Sequence, residues 1–93
     1  MANTASAKKQ MRSSRRKRER NRVLRSRART YIKKVKALIE EGRIDEAREM
    51  ARLAYSALDK AVAKGVIHRN KAARHKSRLM KRLEQAAKSL EAA

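Results

Sequence analysis

The chain contains no cysteine, proline, phenylalanine or tryptophan. Without cysteine there is neither a disulfide nor a thiolate metal site to reinforce the fold, which fits a reducing compartment. Without proline nothing forces a break in a helix. Tyr31 and Tyr55 are the only aromatic residues, which argues against single-strand readers that stack bases on aromatic platforms. Glycine occurs only at Gly42 and Gly65, so no glycine-rich phosphate loop is present, and no nucleophile-elbow serine accompanies them. No apolar run approaches the length of a membrane span, and the start, Met1-Ala2-Asn3-Thr4, lacks the apolar core of a signal peptide. Secretion and membrane spanning are therefore not expected. An Arg- and Ser-rich, acid-poor start is also a property of organellar transit peptides, but no apolar face exists here before Val23.

Acidic residues are scarce as well. There are 9 against 28 basic residues in 93, for a net charge of +19 and a pI of about 11.6. Residues 1 to 36 hold fifteen basic residues and one acid, a net +14; residues 37 to 63 hold four against six, a net −2; residues 64 to 93 hold nine against two, a net +7. All fifteen of the first group lie between Lys8 and Lys36, opposed only by Glu19. Like charge this concentrated is costly in a compact monomer, so a polyanion belongs in the finished structure, with nucleic acid the leading partner. A solvated charged face would mix both signs. Arginine outnumbers lysine nine to six in this arm, and its planar fork grips phosphate oxygens better than an ammonium group does.

What remains is helix-forming. No stretch alternates apolar and polar residues with the period of a strand, and the two glycines fall where the apolar pattern resets. We expect an all-α fold: an antiparallel up-down-up three-helix bundle over residues 23 to 92, with turns near 42 to 44 and 64 to 68, in a single domain. Residues 1 to 22 form a basic arm continuing the first helix beyond the bundle. In that helix Leu24, Ala28, Tyr31, Ile32, Val35, Leu38 and Ile39 fall on one side. The second helix is expected to start near Asp45 as N-cap and to bury Ala47, Met50, Ala51, Ala54, Leu58, Ala61 and Val62. The third presents Leu79, Met80, Leu83, Ala86, Ala87 and Leu90 inward, with Lys71, Arg74, His75, Arg78 and Arg82 on a separate basic stripe. Two residues fit this packing poorly. Lys76 intrudes on the third apolar arc and must snorkel or lie beyond the packed region, and Tyr55 points away from the second.

Before Val23 the arm has almost no apolar content apart from Met11, so burial against the bundle cannot order it. Like-charge pairs at helical spacing, such as Arg12 with Arg16 and Arg16 with Arg20, each destabilise an isolated helix by roughly 0.2 to 0.5 kcal/mol. The arm is therefore expected to be frayed alone and to become continuous helix when phosphates neutralise it.

Catalytic chemistry has little support. His68 and His75 are seven residues apart, about 10 Å along a helix axis, too far for both to hold one metal directly. His68 or Asn70 is placed to cap the third helix, and His75 shares the basic stripe. Glu40, Glu41, Asp45, Glu46 and Glu49 cluster near the first turn but lack calcium-loop spacing and suit the dipole of the second helix. We expect no enzyme, no cofactor, no metal and no small-molecule substrate.

The run Lys64-Gly65-Val66-Ile67-His68-Arg69-Asn70-Lys71-Ala72-Ala73-Arg74-His75-Lys76-Ser77-Arg78-Leu79 resembles the signature of the bacterial-type small-subunit ribosomal protein S-twenty family. Arg25-Ser26-Arg27 followed by Arg29-Thr30-Tyr31-Ile32-Lys33-Lys34-Val35 is similar to that family's first helix, and Ser6-Ala7-Lys8-Lys9 to its N-terminus. The resemblance implies a three-helix bundle with a long basic first helix that binds 16S ribosomal RNA within the small subunit and helps it assemble, in a bacterial (cytoplasmic) or plastid ribosome. It also implies RNA contact at the matching Lys8, Lys9, Arg25, Arg29, Lys33, His68, Arg69, Asn70, Lys71, Arg74, His75 and Arg78. Charge alone adds Arg12, Arg15, Arg16, Arg18, Arg20 and Arg22. Composition by itself also permits a nucleoid-type architectural DNA-binding protein, which would more often carry a minor-groove wedge or a dimer interface. A cationic membrane-surface helix is disfavoured by the missing apolar face of the arm.

Overall fold

The computed structural model describes residues 5–92; the segment Met1–Thr4, in which no signal-peptide core is expected, lies outside them. The described residues form helices α1 (Ala5–Glu40), α2 (Ile44–Ala63) and α3 (Arg69–Ala92), with no strand among them. The molecule extends over 71 × 22 × 14 Å. Most of that length is α1, whose 36 residues span about 54 Å.

Both chain reversals use the same device. Gly42 and Gly65 have φ of 77° and 71°, the left-handed conformation that glycine adopts without steric cost. At the first, the Gly42 N–H donates to the Ile39 carbonyl (3.0 Å) and the Arg43 N–H to the Leu38 carbonyl (3.0 Å). At the second, Gly65 donates to Val62 (2.9 Å) and Val66 to Ala61 (2.8 Å). These are paired Schellman closures, which satisfy carbonyls that a helix end would otherwise leave free.

The register follows from the core. Val35 of α1 meets Ala47, Ala51 and Ala54 of α2 and Leu79 and Leu83 of α3. A second cluster joins Ala28, Ala57, Leu58 and Ala72. Ala28 of α1 thus packs on late α2 and early α3, and Val35, two turns further on, on early α2 and the middle of α3, so the helices run up, down and up. Alanines along α2 permit close approach, and Val35, Leu58 and Leu79 are the largest fully buried side chains. Burying a side chain of this size contributes roughly 1.5 to 3 kcal/mol, so few residues carry the stability.

Several expectations need correction. The residue preceding α2 is Arg43, not Asp45, and no side-chain cap bond forms there. Arg43 already closes the Schellman turn, so the chain enters α2 at Ile44, and Asp45 sits in its first turn. Tyr55 does not point away: it packs against the first core cluster, and its hydroxyl is buried with no hydrogen-bond partner. Burial alone pushes that hydroxyl's pKa up. Lys76 is half-buried and ion-pairs with Asp59, clasping α3 to α2. Met80 and Leu90, expected inward, are 49% and 53% exposed. Ala72 is buried in their stead, because the packed half of α3 begins at its first turns.

Candidate nucleic-acid interface

Charge is partitioned between helices. The acidic residues at the start of α2 are neutralised by neighbours: Arg43 pairs with Glu41 (3.3 Å) and Glu46 (3.0 Å), Arg48 with Asp45 (4.0 Å), and Arg52 with Glu49 (3.9 Å). Such exposed pairs are worth little to stability, but they leave the outer side of α2 close to neutral. Among the described residues no basic side chain of α1 pairs with a carboxylate, and in α3 only Lys76 does. Apart from Lys60 and Lys64, the positive charge without an ion pair therefore lies on α1 and α3.

These two helices run parallel on α2 and touch each other least, which leaves a groove between them. Its first part, about 190 Å³, is walled by Arg25, Ala28, Arg29 and Ile32 of α1, Leu58 and Ala61 of α2, and Ile67, Lys71 and His75. Ile32 and His75 continue into a second part of about 330 Å³ with Lys36, Arg78, Leu79, Lys81 and Arg82. Apolar residues make the floor and cations the rim. Burial first, and then Lys71, Arg78, Lys36 and Arg74, push the His75 pKa below its ordinary 6.5. Both burial and the nearby cations thus disfavour the imidazolium.

Other expected contact residues have local duties. The Arg25 guanidinium donates to the Val66 carbonyl at 3.3 Å, tying α1 to the second turn. Nδ1 of His68 accepts the Asn70 N–H at 3.1 Å, and the His68 carbonyl accepts from Lys71 (3.0 Å) and Ala72 (3.2 Å). His68 is therefore the cap of α3, while Asn70 supplies the capped N–H. Arg69 lies beside it on the hollow around Gly65.

Sites predicted from sequence are not gathered into one place. The groove collects Arg25, Arg29, Lys71, His75 and Arg78. Arg22 lines a different surface of α1 with Arg27 and Lys34, whose ammonium lies 6.0 Å from the Tyr31 ring centre. Arg15 and Arg18 flank Met11. Lys8, Lys9, Arg12, Arg16, Arg20, Lys33 and Arg74 are exposed outside the groove. Lys36, Lys81 and Arg82 are groove residues not among the expected RNA contacts, although Arg82 lies on the basic stripe expected of the third helix. Spacing could also have found Lys36, which follows Arg25 and Arg29 at i+11 and i+7.

Fold and surface define a small, elongated, all-helical protein with two basic helices set against a self-neutralised one. The family model for ribosomal protein S20 matches residues 2–84, and the chain belongs to that family. It is 52% identical over 89 residues to "Small ribosomal subunit protein bS20" of Thermomicrobium roseum, covering 96% of this chain and 90% of that one. The protein of the same name from Methylococcus capsulatus is 52% identical over 84 residues, covering 90% and 91%. That from Thermotoga neapolitana is 50% identical over 94, covering 100% and 95%. Membership places the chain among structural ribosomal proteins rather than enzymes.

Proposed function

We propose that this chain is a structural constituent of the small ribosomal subunit, in a bacterial or plastid ribosome, and that it binds 16S ribosomal RNA directly through α1 and the facing side of α3. The observation that carries this reading is the partition of charge. Most cations without an ion pair lie on α1 and α3, and a subset of them, Arg25, Arg29 and Lys36 on one side and Lys71, Arg78 and Arg82 on the other, flank one groove, while Asp45, Glu46 and Glu49 of α2 pair with nearby arginines. The matched relatives, all named as small-subunit proteins, support the assignment of the particle. Mechanistically, the arm lays arginine forks along phosphates while α3 holds a second RNA segment; each contact displaces condensed counterions, and the chain fixes the relative position of the two segments. No helix among the described residues is long and apolar enough to cross a membrane.

Binding to folded small-subunit RNA and to duplex DNA of equal charge, measured across a salt series, tests the proposal. We expect tighter binding to the RNA at each salt concentration and a steep loss of affinity as salt rises. Equal affinity for both polymers at every concentration would sink the ribosomal RNA reading in favour of a general architectural nucleic-acid binder.

A further inference from the structure

The basic rims alone would hold a phosphate backbone, yet the groove between α1 and α3 is not a flat charged surface. Beneath the cations its first part is a concavity of about 190 Å³. That is below the roughly 300 to 1,000 Å³ of sites for drug-sized molecules and suits one small planar group. Ile32 and Ile67, both half-buried, offer aliphatic walls, and His75 offers the only ring. Around the opening stand Arg29 and Lys71, both exposed, with Arg25 held in place by its bond to the Val66 carbonyl. A small apolar-walled concavity beneath three cations and an imidazole matches a ligand with a planar ring at one end and a phosphate at the other.

We propose that this slot receives a single unpaired nucleotide of the bound RNA: the base enters between Ile32, Ile67 and His75, and its flanking phosphates meet Arg25, Arg29 and Lys71. The inference rests on the RNA-binding reading and deepens it from backbone contact to capture of one extruded base. Single-strand bases splayed from a helix stack on histidine rings and arginine planes, and both are present here despite the near absence of other aromatics. A fully paired duplex cannot supply such a base without losing a pair. Charge complementarity selects a nucleotide over an apolar side chain, because an uncharged occupant would gain nothing from the surrounding cations.

The test uses the full chain and two RNA hairpins of equal length and charge, one fully paired and one with a single bulged nucleotide. Methyl NMR of Ile32, Ile67 and Leu58 reads ring-current displacement, and a binding titration reads affinity. We expect the bulged hairpin to bind about tenfold tighter and to displace these methyl signals, and the paired hairpin to leave them in place. Ile67→Ala should bring the affinity ratio toward one; where its helicity falls by circular dichroism, Lys71→Gln, at an exposed position, is measured instead. Equal affinities with unmoved methyls would overturn the base slot while leaving RNA binding intact. Failure of both hairpins to bind would overturn the RNA reading together with it.

Discussion

His75 stands where the cations of both helices converge, and its pKa is lowered below 6.5 by partial burial and by Lys71, Arg78, Lys36 and Arg74. The unfolded chain therefore takes up the proton first as pH falls through about 6.5, and the folded state loses stability over that range until its own imidazole titrates. RNA phosphates at the rim act in the opposite direction, since they favour the imidazolium. The free protein should accordingly be less stable to denaturant at about pH 5.5 than at about pH 7.5, while its RNA affinity rises over the same interval. His75→Gln should flatten both trends; profiles unchanged by that substitution would place the responsible proton elsewhere. Tyr55 gives a second expectation. Its buried hydroxyl has no partner, so Tyr55→Phe should stabilise the bundle by about 1 kcal/mol in chemical denaturation, because the desolvated donor is removed and the ring packing kept.

At the scale of elements, the two glycine turns are equivalent in hydrogen bonding and open to solvent. Nothing lies within 4 Å of a Cβ built at Gly42 or Gly65, so alanine there would pay only for its left-handed backbone. Each substitution should lower stability by about 1 to 2 kcal/mol, read from thermal unfolding. The arm invites a different measurement. Among its described residues none before Ala28 is buried and many like-charge neighbours lie along it, so helicity by circular dichroism should rise when small-subunit RNA is added. A free chain already fully helical would refute that coupling. Helix number and the apolar face of α1 were legible in the sequence because periodicity and the glycines agree. The cap of α2 was not, because pattern reading cannot tell that Arg43 serves the preceding turn. Tyr55, Met80 and Leu90 were misplaced for a related reason: an alanine-rich interface lets helices rotate relative to one another, and that rotation depends on the partner helix.

For the whole molecule, the site was only half legible. Charge pointed to α1 and α3, but the groove arises from how both lie on α2, which no single-helix pattern contains. The packing separates residues that share charge into those that also tie elements together, such as Arg25, and those with no such bond, such as Arg74 and Arg78. Replacing Arg74 and Arg78 together by Gln should weaken RNA binding and make it less steeply salt-dependent, with the circular dichroism of the bundle unchanged. Lost helicity in that variant would show the two side chains to be structural.

The first half of α1 is one helix thick and carries cations around much of its circumference, with Arg12, Arg16 and Arg20 on one side and Arg15, Arg18 and Arg22 on another. A helix with side chains is about 10 to 12 Å across, close to the Debye length of about 8 Å at physiological salt. Two phosphate surfaces lying on opposite sides of such a rod would each stand within a Debye length of the cations that face it. On the proposed RNA, the arm would act as a covalently linked string of counterions, standing between phosphate strands in place of mobile cations and tethered so that it cannot diffuse away.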